Sequence, residues 1–160
     1  MTPITMERFN AASESLGWAY RSLAQQVIHG FFAKHKDFYI EAALKDAAAR
    51  GMPEEDYYKV LRDGSEDDLA RYVAGRPGFG PAPLDPVEPV PTGPEFRQKY
   101  NTISLSSYNY CLLKVCRIVD TGPLTQVVSR IVRYHFEDSG YWEKNYLPQI
   151  AADKACRFRV

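Results

Sequence analysis

A chain of 160 residues, 45% apolar, is long enough to bury a real core as one domain or two small ones. No run of about 18 apolar residues is present to cross a bilayer, and the N-terminus lacks the basic-then-apolar layout of a secretory signal, so a cytoplasmic location with no membrane partner is expected. Twenty basic side chains balance twenty acidic ones, a neutrality that by itself disfavours nucleic acid, yet the charge is unevenly distributed. Residues 1–52 carry six Lys/Arg against five Asp/Glu, residues 53–94 four against nine, and residues 95–160 ten against six.

In chain order, Ile4 and Met6 alternate with polar neighbours, as in a half-buried strand. Thr2-Pro3 fits equally an N-cap followed by a first helical residue. Phe9 to Leu16 reads as a short helix ended by Gly17, and Ser22 as the cap of a second helix with its apolar stripe at Leu23, Val27, Ile28, Phe31 and Phe32. That helix is expected to run through Tyr39 and Ala47 and to stop near Gly51. Two acidic helices follow, Pro53 to Leu61 and Ser65 to Ala74, the first with a proline in its first turn and the second with Ser65 and Asp68 as a capping box. Residues 76–94 hold seven prolines and read as an extended linker. Tyr100 to Ser106 alternates as a strand, a helix spans about Tyr108 to Val119, Asp120 to Pro123 breaks it, and Leu124, Val127, Val128, Ile131 and Val132 begin another. An apolar tail of Tyr141, Trp142, Tyr146 and Leu147 is interrupted by Pro148.

The chain also repeats itself. ITMERFN at Ile4 to Asn10 matches ISLSSYN at Ile103 to Asn109, and the helix from Leu23 to His35 matches the one from Leu124 to Phe136. Strand, helix, turn, helix is a half-unit too small to bury its own apolar face, and two copies in one chain are suited to bury each other's. This pattern resembles the ribbon-helix-helix family of DNA-binding proteins. With both halves on one polypeptide, and with Gly17-Trp18 and the run Lys34 to Tyr39, it is similar to the TraY-type accessory proteins of conjugative relaxosomes. The resemblance implies a mainly α, tandem ribbon-helix-helix fold, with two short antiparallel strands over interlocked helices. Its parts are a first half over 1–52, an acidic helical insert over 53–75, a proline-rich linker over 76–94 and a second half over 95–160.

The same resemblance implies a non-enzymatic double-stranded DNA-binding protein, a relaxosome accessory or a transcriptional regulator, whose ribbon enters the major groove. It would act as a monomeric pseudo-dimer that associates on DNA, with a relaxase or other transfer proteins as further partners. Thr5, Glu7, Thr102, Ser104 and Ser106 would face base edges. Arg8, Arg21, Ser22, Lys99, Lys114, Thr121 and Gly122 would hold phosphates. Hydroxyls and one glutamate read bases thinly, so affinity would lean on phosphate contacts and DNA shape.

Chemistry of other kinds has little footing. His29 and His35 stand six apart on one helix rather than the four that would bring both onto a metal, and Cys111, Cys116 and Cys156 lack zinc-ligand spacing and read as buried free thiols. No catalytic residues, cofactor or metal are expected. The competing reading is a protein-interaction adaptor, in which the acidic and proline-rich middle docks a relaxase, a coupling protein or a toxin.

Overall fold

A computed structural model describes residues 1–91 and 103–157 of the chain. The order of its helices is α1 (Pro3–Leu16), α2 (Tyr20–Ala49), α3 (Glu54–Asp63), α4 (Glu66–Ala74), α5 (Ser107–Asp120), α6 (Leu124–Arg133) and α7 (Leu147–Arg157). Two π-helical turns, Tyr134–Asp138 and Trp142–Tyr146, lie between α6 and α7. The mainly α class stands. The ribbon does not, because no strand occurs among the described residues, and the tandem ribbon-helix-helix architecture falls with it.

The physical reason lies in the first three residues. Thr2 is extended at φ −65° and ψ 158°, its hydroxyl accepts from the Thr5 amide, and Pro3 takes the first helical position, where a missing N–H costs nothing. Burial then follows Thr5, Phe9 and Ala12, at helical spacing. Ile4, expected inward, is 53% exposed, whereas Thr5, expected to face bases, is fully buried. The alternation of Ile4 and Met6 spans too few residues to outweigh a cap and a proline acting together. With residues 3–7 helical, the second expected strand has no partner, and Ile103 to Ser106 lead without regular structure into α5. Thr102 lies outside the described residues.

The repeat survives in another register. α1 and α5 are both 14 residues long, each opened by a hydroxyl cap, Thr2 or Ser106, that accepts from the amide three residues on. Each is closed by a left-handed residue, Gly17 at φ 68° or Thr121 at φ 62°. Pro3 thus corresponds to Ser107 and Gly17 to Thr121, an offset of 104, where the match of Ile4 with Ile103 gives 99. Burial follows the longer offset: Thr5 with Asn109, Phe9 with Leu113, Ala12 with Cys116, Val27 with Ile131 and Phe32 with Phe136 are all buried. What is duplicated is a capped helix, a three-residue turn and the start of a second helix.

The chain forms two compact units. One comprises residues 1–28, the described part of 87–104 and the described part of 129–160. There α1 packs on the first π-helical turn and on α7. The hydroxyls of Thr2 and Thr5 both donate to the Glu137 carboxylate, which Arg133 also approaches at 3.6 Å. Phe9 meets Phe136 edge-on at 5.6 Å between ring centres.

The other unit comprises residues 29–86 and 105–128. Its centre is α5, which is buried without interruption from Leu112 to Val119 and packs on α3 and α4, as a helix enclosed on all sides must be. Asp46, 1% exposed, accepts from Arg50 at 3.0 Å and from the Tyr57 hydroxyl at 2.7 Å. Burial and this bond push the Tyr57 hydroxyl above its ordinary range. Ser65 and Asp68 form the expected capping box on α4, while Pro53 caps α3 rather than entering it.

The proline-rich stretch is packed over residues 82–90. Ala82, Leu84, Val87 and Val90 are buried. Arg130 donates to the Val87 carbonyl at 2.9 Å and Arg133 to that of Glu88 at 3.4 Å. Residues 92–94 of this stretch lie outside the described residues.

Candidate functional site

The residues expected to contact DNA fall on several elements. Thr5 is committed to Glu137 inside α1's packing. Glu7 is exposed on α1, Ser104 is exposed in the segment before α5, and Ser106 spends its hydroxyl on the Asn109 amide at 3.1 Å. Thr5 is therefore closed to a base edge, and no ribbon among the described residues carries Glu7, Ser104 and Ser106.

The phosphate set is divided between the two units. Arg8 donates to the Phe136 carbonyl, lies over the Trp142 ring at 5.3 Å and stands 3.6 Å from Glu143. Arg21 and Ser22 are exposed in the first turn of α2, so Ser22 lies inside the helix it was expected to cap. Lys114 is only 3% exposed, with its ammonium 4.5 Å from the centre of the Tyr110 ring. Thr121 is the left-handed closing residue of α5, and Gly122 is half-buried behind it. Arg8, Arg21 and Ser22 belong to one compact unit, Lys114, Thr121 and Gly122 to the other. Lys99 lies outside the described residues.

Among the described residues, no group of three or more His, Cys, Asp or Glu side chains is placed to hold a metal ion. His29 instead meets the Asn109 side-chain amide at 3.2 Å. Of the three thiols, only Cys116 is buried, Cys111 is half-buried and Cys156 is exposed, so the expectation of buried thiols holds for one. Among the described residues, no helix is long and apolar enough to cross a membrane.

The most distinctive exposed chemistry lies in the second unit, where α3 packs on α5. Tyr108 and Tyr110 project from the first turn of α5, 55% and 37% exposed. Tyr58 of α3 is half-buried, with Tyr108 in its neighbourhood. Burial pushes its hydroxyl up, and the neighbouring Glu54, Tyr108 and Cys111 push it further in the same direction. Cys111 is raised by burial, against the pull of Lys114 and Arg62. Arg62 itself is held by Asp63 through two bonds of 3.0 Å. Comparison with protein-family models, with curated proteins and with solved structures gave no match.

The sequence offers a signal for this face that periodicity alone conceals. Glu54 and Tyr58 are four apart and share one side of α3, while Tyr108 and Cys111 are three apart on α5. Reading Tyr108 as the counterpart of Phe9 assigns it to a core. The register set by the caps pairs it instead with Ile4, which is exposed too.

Proposed function

We propose that this chain is a non-enzymatic protein-interaction adaptor that binds its partner through the tyrosine face of α3 and α5. The observation that supports this reading is the exposure of Tyr108 in the first turn of α5, with Tyr58 and Glu54 of α3 near it. Tyrosines deliver large contact area at little conformational cost, and they are enriched with arginine at the centres of protein interfaces. The acidic helices remain part of the reading, since α3 supplies Tyr58 and Glu54.

Binding in the DNA major groove has lost the element on which it depended. Among the described residues assigned to bases, Thr5 is buried, Ser106 is used as a cap, and Glu7 and Ser104 lie on separate segments. The acidic first turns of α3 and α4 repel a phosphate backbone.

A photo-crosslinking phenylalanine analogue installed at position 108 of the full chain, expressed in its own host, tests the adaptor reading. Irradiation is expected to join one predominant protein to position 108, while the same analogue at exposed Leu147 gives no such product. A folded chain that yields no protein adduct at 108, or that yields the same adduct from 147, overturns it. Retardation of random-sequence duplex in low salt by the unmodified chain, with position 108 silent, would point back to nucleic acid.

A further inference from the structure

We infer that the first compact unit carries a docking site for a proline-rich extended segment of a partner protein, and that the chain's own residues 87–91 occupy it as a tethered competitor. From Leu84 onward, Leu84, Val87 and Val90 are buried and the residues between them are exposed, a repeat of three. Three residues per turn is the period of the polyproline II helix, whose backbone makes no internal hydrogen bonds. Prolines at 86, 89 and 91 favour that conformation and have no amide hydrogen to give. Such a segment offers a receptor two things: an apolar side chain at every third position, and carbonyls that accept from outside the segment.

Two arginines near the end of α6, three residues apart on one face, meet the carbonyls. Arg130 closes on the Val87 carbonyl through Nε at 3.2 Å and Nη2 at 2.9 Å, and Nη1 of Arg133 reaches the next carbonyl, that of Glu88, at 3.4 Å. A guanidinium fork on main-chain oxygens reads the course of a backbone and not its side chains, so another segment with the same spacing of valines and prolines presents the same groups. The exposed Glu88 gives the strap the charge that suits two arginines. Arg133 also faces Glu137 at 3.6 Å, so it keeps a carboxylate when the strap is exchanged. A tethered ligand acts at high effective concentration, and a free segment therefore sees only the fraction of sites whose strap is off. Val87, Val90, Arg130 and Arg133 belong to the first unit and the tyrosine face to the second, so this surface does not rest on the reading above.

The test uses the full chain, a fluorescein-labelled peptide with the sequence of residues 83–91, and a second peptide in which serine replaces both valines. Val87→Ala combined with Val90→Ala weakens the chain's own strap. By anisotropy, this variant is expected to bind the valine peptide about tenfold more tightly than the parent does, because the tethered competitor is off more often. The serine peptide should bind neither. Adding Arg130→Gln to the weakened chain is expected to reduce binding about tenfold, through loss of a charged donor. An unchanged helical spectrum verifies folding. Should the double variant unfold, Val90→Ala alone carries the comparison, with a smaller rise in the same direction. A folded variant that binds the valine peptide no better than the parent, equal binding of the two peptides, or binding indifferent to Arg130 overturns the inference. So does a weakened chain that associates with the parent chain and ignores the peptide, since the occupant is then a second copy.

Discussion

His135 sits among aromatic rings, 4.9 Å from Phe136 and from Tyr141 between ring centres, and its Nε2 shares a hydrogen bond of 3.0 Å with the Tyr146 hydroxyl. Burial lowers its pKa from the ordinary 6.5 to about 4, since an enclosed imidazolium loses its hydration. Between these two values the unfolded chain binds the proton and the folded chain does not, so stability is fully present above pH 6.5 and is lost as pH falls toward 4. The full difference amounts to about 3 kcal/mol. His135→Phe keeps a ring in place and removes the titration. Its melting temperature is therefore expected to vary less between pH 4 and 6.5 than the parent's. Equal slopes in the two proteins would place the acid sensitivity elsewhere. The Tyr146 hydroxyl, pushed up to about 12 by burial, stays protonated throughout this window.

At the scale of elements, the ends of α1 and α5 are one design executed with two residues. Gly17 at φ 68° closes α1, and the amides of Gly17 and Trp18 return to the Glu14 and Ser13 carbonyls at 3.3 and 3.2 Å. Thr121 closes α5 at φ 62°, where it is the one positive-φ residue other than glycine among the described residues. A side chain in this region costs about 1 kcal/mol or more, because Cβ crowds the following carbonyl. Thr121→Gly is therefore expected to stabilise the chain by about 1 kcal/mol, and Gly17→Thr to destabilise it by a similar amount. Denaturant midpoints measure both. Equal effects of one sign would show that the two ends are not equivalent.

Much of this level was legible in the sequence. The capping box of α4, the breaks near Gly17 and Gly51, the acidic pair of helices and the burial stripes of α2, α5 and α6 all rest on local chemistry. The start of α1 was not settled, because Thr2-Pro3 and the alternation of Ile4 with Met6 point in opposite directions. The cap and the proline win, and the packing of Thr5 and Phe9 against Glu137 and Phe136, which no local window contains, adds to them. The tyrosine face was missed for a related reason. Whether Tyr58 and Tyr108 point inward or outward depends on how α3 meets α5.

For the whole molecule, the same long-range pairs determine what holds the chain together. Each compact unit contains residues from before position 92 and from after position 102. In the first, Thr5 and Arg8 of α1 bond Glu137 and the Phe136 carbonyl, and Arg130 bonds the Val87 carbonyl. In the second, Asn109 bonds His29, Arg117 bonds Glu66 and Arg76 bonds the Val119 carbonyl at 3.1 Å. A protease recognition sequence inserted after residue 97 allows the folded chain to be cut between its two repeats. The pieces are expected to remain one species in native size-exclusion chromatography, because cutting one peptide bond removes none of these contacts. They should separate in denaturant. The melting temperature of the cut protein should fall and should become dependent on concentration, because refolding then brings two molecules together and no longer closes a loop. Two halves that elute apart under native conditions would mean that each repeat folds alone, and the shared cores of the two units would then be incidental to stability. Co-elution with a concentration-dependent melt would show that the repeats are obligate partners, each supplying the apolar surface that the other's first helix must cover.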